Sequence, residues 1–329
     1  MDDEIAVSAA FIPELGAAEN IEFGSLTISG PGPTDVLVAV QAVAVNPVDT
    51  YIRAGFVDTP VVLPHILGRD LVGEVIEAPE TSGFEPGDRV WASTLGHEGR
   101  QGSFATQAVV PVDRLYHVPE NVDLLNLVAN SHPGTTAALS LIEHGGVRAG
   151  QSVFIGGAAG GVGSAGLAIA KWLGARVIAT CSSKDQERVQ AEGGDVVLDY
   201  RDPHLTQKVR EAAPGGVDLA WDTSGHMSYE TLAGLMGVGS KIMVTAAGRD
   251  SVAVPWGALY TRDVSVVGFV HSRAGAEQMR RAAGVVSQGT RDGWLRPHIT
   301  KVDGLSEARD AHLAMEANQV RGRIVLQTG

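Results

Sequence analysis

One cysteine, Cys181, stands in 329 residues. A lone thiol excludes an intrachain disulfide and a thiolate zinc cluster, since both need further cysteines. Positive charge is scarce as well: 25 Lys and Arg face 38 Asp and Glu, for a formal net charge of −13. Proteins that bind nucleic acid or anionic membranes present a net basic face, so this balance argues against both partners. Charged residues amount to 19% and hydrophobic ones to 44%, a globular composition rather than a disordered or collagen-like one. At roughly 100–200 residues per domain, the length implies two domains, each with its own core. The acidic start Met1-Asp2-Asp3-Glu4 lacks the basic flank of a secretory signal, so the expected compartment is the cytoplasm.

Charge is missing altogether between Arg148 and Lys171, where Gly157 and Gly161 fit a GxxxG pattern. Seven glycines crowd the stretch between residues 150 and 166, and Gln151 and Ser152 interrupt its start. That density suits a phosphate-binding loop, not a membrane span.

The first third reads as β-rich. Val36–Val40 is a β-branched run, Gly73–Glu77 alternates apolar and charged residues, and Pro86-Gly87-Asp88 is a turn ahead of Arg89–Ala92. With Gly102–Val110 these short strands suggest a partly open barrel. Asn126–His144 then reads as a helix that His132-Pro133-Gly134 breaks or kinks. From Ser152 onward, strands alternate with helix-length segments: Ser152–Ile155, Arg176–Thr180, Val196–Leu198, Leu219–Trp221, Lys241–Thr245 and Val264–Val267. Such alternation implies a parallel sheet with right-handed crossovers. Helical patterns over Ala274–Ser287 and Leu305–Met315 precede a closing strand, Arg323–Leu326, suited to rejoining the first domain.

The most informative segment is Val153 to Gly163, in which a buried strand feeds a glycine turn that opens a helix. That is the context of a dinucleotide fingerprint, with free N–H groups and the positive dipole end facing a pyrophosphate. Two frames compete. Gly161-x-Gly163-x-x-Gly166 matches GxGxxG literally but puts the turn inside the helix. Ala158-x-Gly160-x-x-Gly163 fits strand, turn and helix better, and makes Ala158, Gly160, Gly161, Val162 and Gly163 the cofactor loop. The next strand ends in Cys181-Ser182-Ser183-Lys184 with no carboxylate before Asp185. An acidic residue there would hold the ribose hydroxyl of NAD, whereas hydroxyls and a lysine accept a 2′-phosphate, so the expected cofactor is NADPH.

The run Val45-Asn46-Pro47-Val48-Asp49-Thr50-Tyr51-Ile52-Arg53-Ala54-Gly55 resembles the quinone oxidoreductase signature of the medium-chain dehydrogenase/reductase superfamily. So do Pro64–Val75, Phe84–Val90, the Ala-Ala-Gly-Gly-Val-Gly loop at 158–163 and Gly293-Trp294-Leu295-Arg296-Pro297, all in the family's order. Zeta-crystallin-type NADPH:quinone oxidoreductases are the branch most similar in these motifs. The resemblance implies an α/β fold: a GroES-like partly open β-barrel catalytic domain over 1–126, a Rossmann doubly wound parallel sheet over 127–272, and a return to the catalytic domain over 273–329. It also implies a homodimer formed through the edge strand Val264–Val270.

Zinc-dependent relatives place a cysteine near the position of Asn46 and Gly-His-Glu where this chain has Gly68-Arg69-Asp70, so no metal is expected. Gly96-His97-Glu98-Gly99 copies the letters of that motif beyond the strand Arg89–Ala92, and reads as a decoy loop. By resemblance, Asn46, Asp49 and Tyr51 line the substrate pocket as catalytic candidates. Asn46 would orient a carbonyl or the ribose, Tyr51 would donate to a developing oxyanion, and Asp49 would either join them or hold the loop after Pro47. Thr136, Tyr200, Ala247, Gly248, Phe269 and Val270 match cofactor positions.

The expected reaction is hydride transfer from NADPH to a quinone or a similar conjugated carbonyl substrate, with no zinc. The alternative within the enzyme class is reduction of enone, alkenal or 2-enoyl double bonds. A different class is a non-catalytic, crystallin-like NADPH-binding or RNA-associating protein, which the negative charge disfavours.

Overall fold

The structure is a computed structural model and describes residues 4–57, 59–245 and 251–329. The chain divides into two units, Met1–Thr135 with Gly275–Gly329, and Thr136–Ala274. The joints thus fall nine and two residues after the expected 126/127 and 272/273 positions, the first of them inside a helix that runs across it.

The first unit begins with the antiparallel pair β1 (Glu4–Ile12) and β2 (Glu22–Ser29), in register from Glu4↔Ser29 to Phe11↔Glu22. Next come β3 (Asp35–Val45), α1 (Pro47–Arg53), β4 (His65–Ile66), β5 (Leu71–Glu77), β6 (Arg89–Ala92), β7 (Gln107–Pro111), β8 (Leu115–His117) and α2 (Leu124–Ala138). One edge of β3 meets β5, while the other is taken by β7 over Asp35–Ala39. The register against β5 shifts between Val40 and Ala42, a bulge that turns the strand as barrels require. Gly73 permits the close approach there, because a Cβ would lie 2.1 Å from the Ala39 carbonyl oxygen. Alternate residues of β3 (Val36, Val38, Val40) join Leu71, Val75, Val90 and Phe104 in the barrel core.

The helix α2 does not break at Pro133. It runs to Ala138 and passes into a π-helical turn over Leu139–His144. Proline removes the N–H that would bond the carbonyl four residues back, here Ala129, and Arg323 Nε donates to that oxygen instead, at 3.1 Å. The orphan created by the proline is therefore satisfied from elsewhere in the unit.

The second unit holds β9 (Ser152–Gly156), α3 (Gly161–Trp172), β10 (Arg176–Cys181), α4 (Gln186–Ala191), β11 (Val196–Asp199), α5 (Leu205–Ala212), β12 (Val217–Asp222), α6 (Tyr229–Leu235), β13 (Met236–Val244), α7 (Trp256–Tyr260) and β14 (Ser265–Gly268). Its six strands are parallel, in the order β11-β10-β9-β12-β13-β14. This is a doubly wound Rossmann sheet, and its order reverses between β9 and β12, the switch point where such sheets bind ligands. The edge strand is shorter than the sequence suggested, Ser265–Gly268 rather than Val264–Val270.

The chain then returns through α8 (Ala276–Arg291), β15 (Ile299–Gly304), α9 (Ala308–Glu316) and β16 (Arg323–Gln327). β16 pairs antiparallel with Ala42–Val45 of β3, past the stretch that β7 covers, and β15 extends the sheet beside β16. Together these strands form the GroES-like, partly open barrel, with β15 and β8 at the ends of its main sheet path. Among the described residues no helix is long and apolar enough to cross a membrane.

Candidate functional site

The glycine turn spans residues 157–160, between the end of β9 and the start of α3. Gly157 has φ +70°, a left-handed conformation that favours glycine, and Gly160 caps the helix. At Gly163 a Cβ would sit 2.2 Å from the Gly157 carbonyl oxygen, so only glycine lets the first helical turn close on the strand end. The Ala158 N–H donates to Thr180 of β10 at 2.9 Å, tying the turn to the neighbouring strand. Ala158, Gly160, Gly161, Val162 and Gly163 thus form one continuous turn and helix start. Gly166, the last glycine of the literal GxGxxG frame, lies inside α3, where a Cβ would be 2.9 Å from the Trp221 ring.

Beyond β10 the expected 2′-phosphate residues divide. Ser182 is committed, its Oγ donating to Asp185 Oδ2 at 2.7 Å, while Ser183 and Lys184 are exposed. Sequence reasoning missed Arg188, whose Nη2 donates to the Ala159 carbonyl of the glycine turn at 3.0 Å and whose Nη1 pairs with Glu192. The i, i+3 and i, i+4 spacing of Asp185, Arg188 and Glu192 was the available signal. Tyr200 is half exposed, with the Arg201 guanidinium 4.6 Å from its ring centre. Phe269 stacks on His144 with 4.6 Å between ring centres, Val270 is exposed, and Thr136 Oγ1 is buried without a hydrogen-bond partner. Ala247 and Gly248 lie outside the described residues.

The first unit contains a buried polar cluster at the junction of β3, α1, β5, β6 and β16. Asn46, which precedes α1, donates Nδ2 to Asp70 Oδ2 at 2.8 Å and to the Ala44 carbonyl at 3.2 Å, and its Oδ1 accepts from Arg323 Nη2 at 2.6 Å. Asp70 also accepts from Ser93 Oγ at 2.8 Å. Both amide hydrogens of Asn46 are therefore committed to protein partners, which makes it the hub of the cluster rather than a free donor. Asp49 accepts the Asn46 backbone N–H on Oδ2 at 2.7 Å, holding the first turn of α1, while its Oδ1 is buried without a partner.

Burial pushes the Asp49 carboxyl up to about 7, with the Asp70 charge adding to the rise, and burial pushes Asp70 up to about 6. Burial and the nearby Arg69 charge depress His65 to about 4, and the same two causes lower His97, so neither imidazole adds positive charge at neutral pH. Arg69 is 3% exposed and its Nε has no hydrogen-bond partner. Tyr51, on α1, is 51% exposed. The loop carrying His97 turns through left-handed residues at Gly96, Glu98 and Gly99. No three His, Cys, Asp or Glu side chains come together as a metal-binding group among the described residues.

Comparison with known proteins agrees with this geometry. Residues 32–120 match the alcohol dehydrogenase GroES-like domain, and residues 161–288 match the zinc-binding dehydrogenase family. A quinone oxidoreductase of Sus scrofa is 31% identical over 312 residues, 93% of either chain. A 2-haloacrylate reductase of Burkholderia sp is 29% identical over 337 residues, 97% of this chain and 98% of that one. The crystal structure of a Pseudomonas syringae pv. Tomato DC3000 quinone oxidoreductase superposes with a TM-score of 0.87 at 26% identity, covering 98% of this chain and all of that one. With its GroES-like barrel and Rossmann sheet, the chain belongs to the quinone oxidoreductases of the medium-chain dehydrogenase/reductase superfamily, oxidoreductases that use a nicotinamide cofactor.

Proposed function

We propose that the enzyme is a zinc-independent, NADPH-dependent reductase that passes hydride to a quinone or a similar conjugated acceptor. The observation that carries this reading is the filling of the Asn46, Arg69 and Asp70 positions, which in zinc-dependent relatives bind metal. Here both Asp70 oxygens already accept side-chain donors, and two buried guanidinium groups, Arg69 and Arg323, act on them. Such a site disfavours a divalent cation and offers no thiolate. Polarisation of the acceptor then falls to hydrogen-bond donors. In this reading Tyr51 donates to the acceptor oxygen, Asp49 holds a proton on its free Oδ1, and Asn46 positions both by anchoring α1.

NADPH supplies the hydride when bound. The turn at 157–160 and the N–H groups of α3 would hold its pyrophosphate, and the exposed Ser183 and Lys184 after β10 would hold its 2′-phosphate. Thr136, Tyr200, Phe269 and Val270 remain candidates along the same ligand. The proposal includes a cytoplasmic location, where a buried thiol stays reduced, and a homodimer through β14.

A second reading, reduction of activated alkenes, is favoured by the relative that acts on a haloacrylate and by the unpartnered Arg69. Following NADPH oxidation across quinones, enones, alkenals and 2-enoyl thioesters tests both: quinone turnover supports the first reading, turnover of alkenes alone the second, and turnover of none overturns both. Stoichiometric zinc with chelator-sensitive activity would overturn metal independence.

A further inference from the structure

We propose that Arg69 binds a carboxylate on the acceptor, so that the preferred acceptors are conjugated alkenes carrying an acid group, such as 2-enoates. This rests on the reductase reading above. Five polar side chains surround the cluster hub, and their bonds account for every buried group but two. Asp70, Ser93, Asn46 and Arg323 close on one another and on the Ala44 and Ala129 carbonyls. The two open ends are Asp49 Oδ1 and Arg69 Nε. They influence one another electrically and form no ion pair within 4.0 Å.

Arg69 is 3% exposed and its Nε is buried without a partner, an unfavourable place for a charged group. Its planar fork matches the two oxygens of a carboxylate, a match that a neutral carbonyl lacks. The Asp49 carboxyl, raised by burial, keeps a proton to offer the same anion on its open oxygen. The two other buried arginines of the unit both have partners: Arg53 pairs with Glu316, and Arg323 donates to Asn46 and to the Ala129 carbonyl. The anionic site is built into a protein of net charge −13, so general surface attraction does not explain it. In the reaction, hydride adds to one alkene carbon and a proton to the other, NADPH becomes NADP+, and the carboxylate leaves unchanged.

The test uses the full chain with NADPH and an isosteric pair, methacrylate and methacrylamide. Wild type should show a KM at least about tenfold lower for the acid, and Arg69→Gln should erase that preference while Arg69→Lys restores part of it. Calorimetry with the saturated pair isobutyrate and isobutyramide reads the same preference without turnover. It decides the matter even where Arg69→Gln fails to fold or no acceptor is reduced. Equal binding of acid and amide to wild type overturns the proposal. So does an Arg69→Gln variant that loses kcat on both acceptors and keeps the KM ratio, since Arg69 would then serve developing charge or structure. Absence of turnover with every acceptor, combined with selective isobutyrate binding, would overturn the reductase reading and leave the carboxylate site standing.

Discussion

Arg323 satisfies two groups that nothing nearby in sequence can reach: the Ala129 carbonyl orphaned by Pro133, and Asn46 Oδ1, 277 residues away. Replacing it with Met should cost about 3–5 kcal/mol, because Asp70 then stays buried with less positive charge beside it. In a Pro133→Ala background the restored N–H can bond Ala129, so the same replacement should cost roughly 1 kcal/mol less. Urea unfolding of the four proteins checks both numbers. Asp49 gives a pH signature. Burial raises its folded-state pKa to about 7 from the ordinary carboxylate value of 3.8, so the stability it contributes is complete below that lower value and is lost as pH rises through about 7. Asp49→Asn should therefore gain on wild type by roughly 1 kcal/mol per pH unit between about 4 and 7 and hold level above. A flat difference across that range would mean Asp49 ionises freely in the fold. Asn46 and Asp49 were legible from their shared motif. Arg323 was not, because only the β3–β16 pairing brings a residue near the end of the chain to them.

The strand, glycine turn and helix around Gly157 were legible as an element because close backbone approach demands glycine in a local, ordered pattern. Gly163→Ala forces a Cβ against the Gly157 carbonyl and should cost about 1–3 kcal/mol and abolish nicotinamide cofactor binding, read by titration of cofactor fluorescence. Gly284→Ala is the contrasting case, on an exposed turn of α8 with no atom within 4 Å of the new Cβ. It should stabilise by about 0.5–1 kcal/mol and raise the melting midpoint, since only helix propensity changes. Other elements escaped the sequence for physical reasons. β2 is largely exposed, and β15 carries Lys301 and Asp303 on a strand with no fully buried residue, so neither shows an apolar period. Both exist through backbone ladders to β1 and β16. Pro133 does not end α2, and the carbonyl it orphans is taken by a donor distant in sequence.

At the scale of the whole molecule, the order of barrel, parallel sheet and returning strand was legible from rhythm alone, while assembly depends on which surfaces stay apolar. The Rossmann sheet ends at β14, whose outer edge pairs with no strand among the described residues, and Val238, Trp256, Tyr260 and Val266 on or beside its last two strands are all exposed. An open edge with apolar side chains around it is suited to pairing with a second copy, which would continue the ladder and cover the patch. Sedimentation should then give twice the 34.3 kDa chain mass, and the double variant Val238→Glu with Tyr260→Glu should sediment as one chain. Wild type should also melt at a midpoint that rises with protein concentration, and the variant should not. The charge balance sharpens the expectation. Each copy carries −13, so association works against long-range repulsion that salt screens within about 10 Å at 0.1 M. Raising the salt from low concentration should therefore tighten the dimer. An interface held by ion pairs would loosen instead, and a wild-type chain that sediments alone at every salt concentration would remove the dimer from the account.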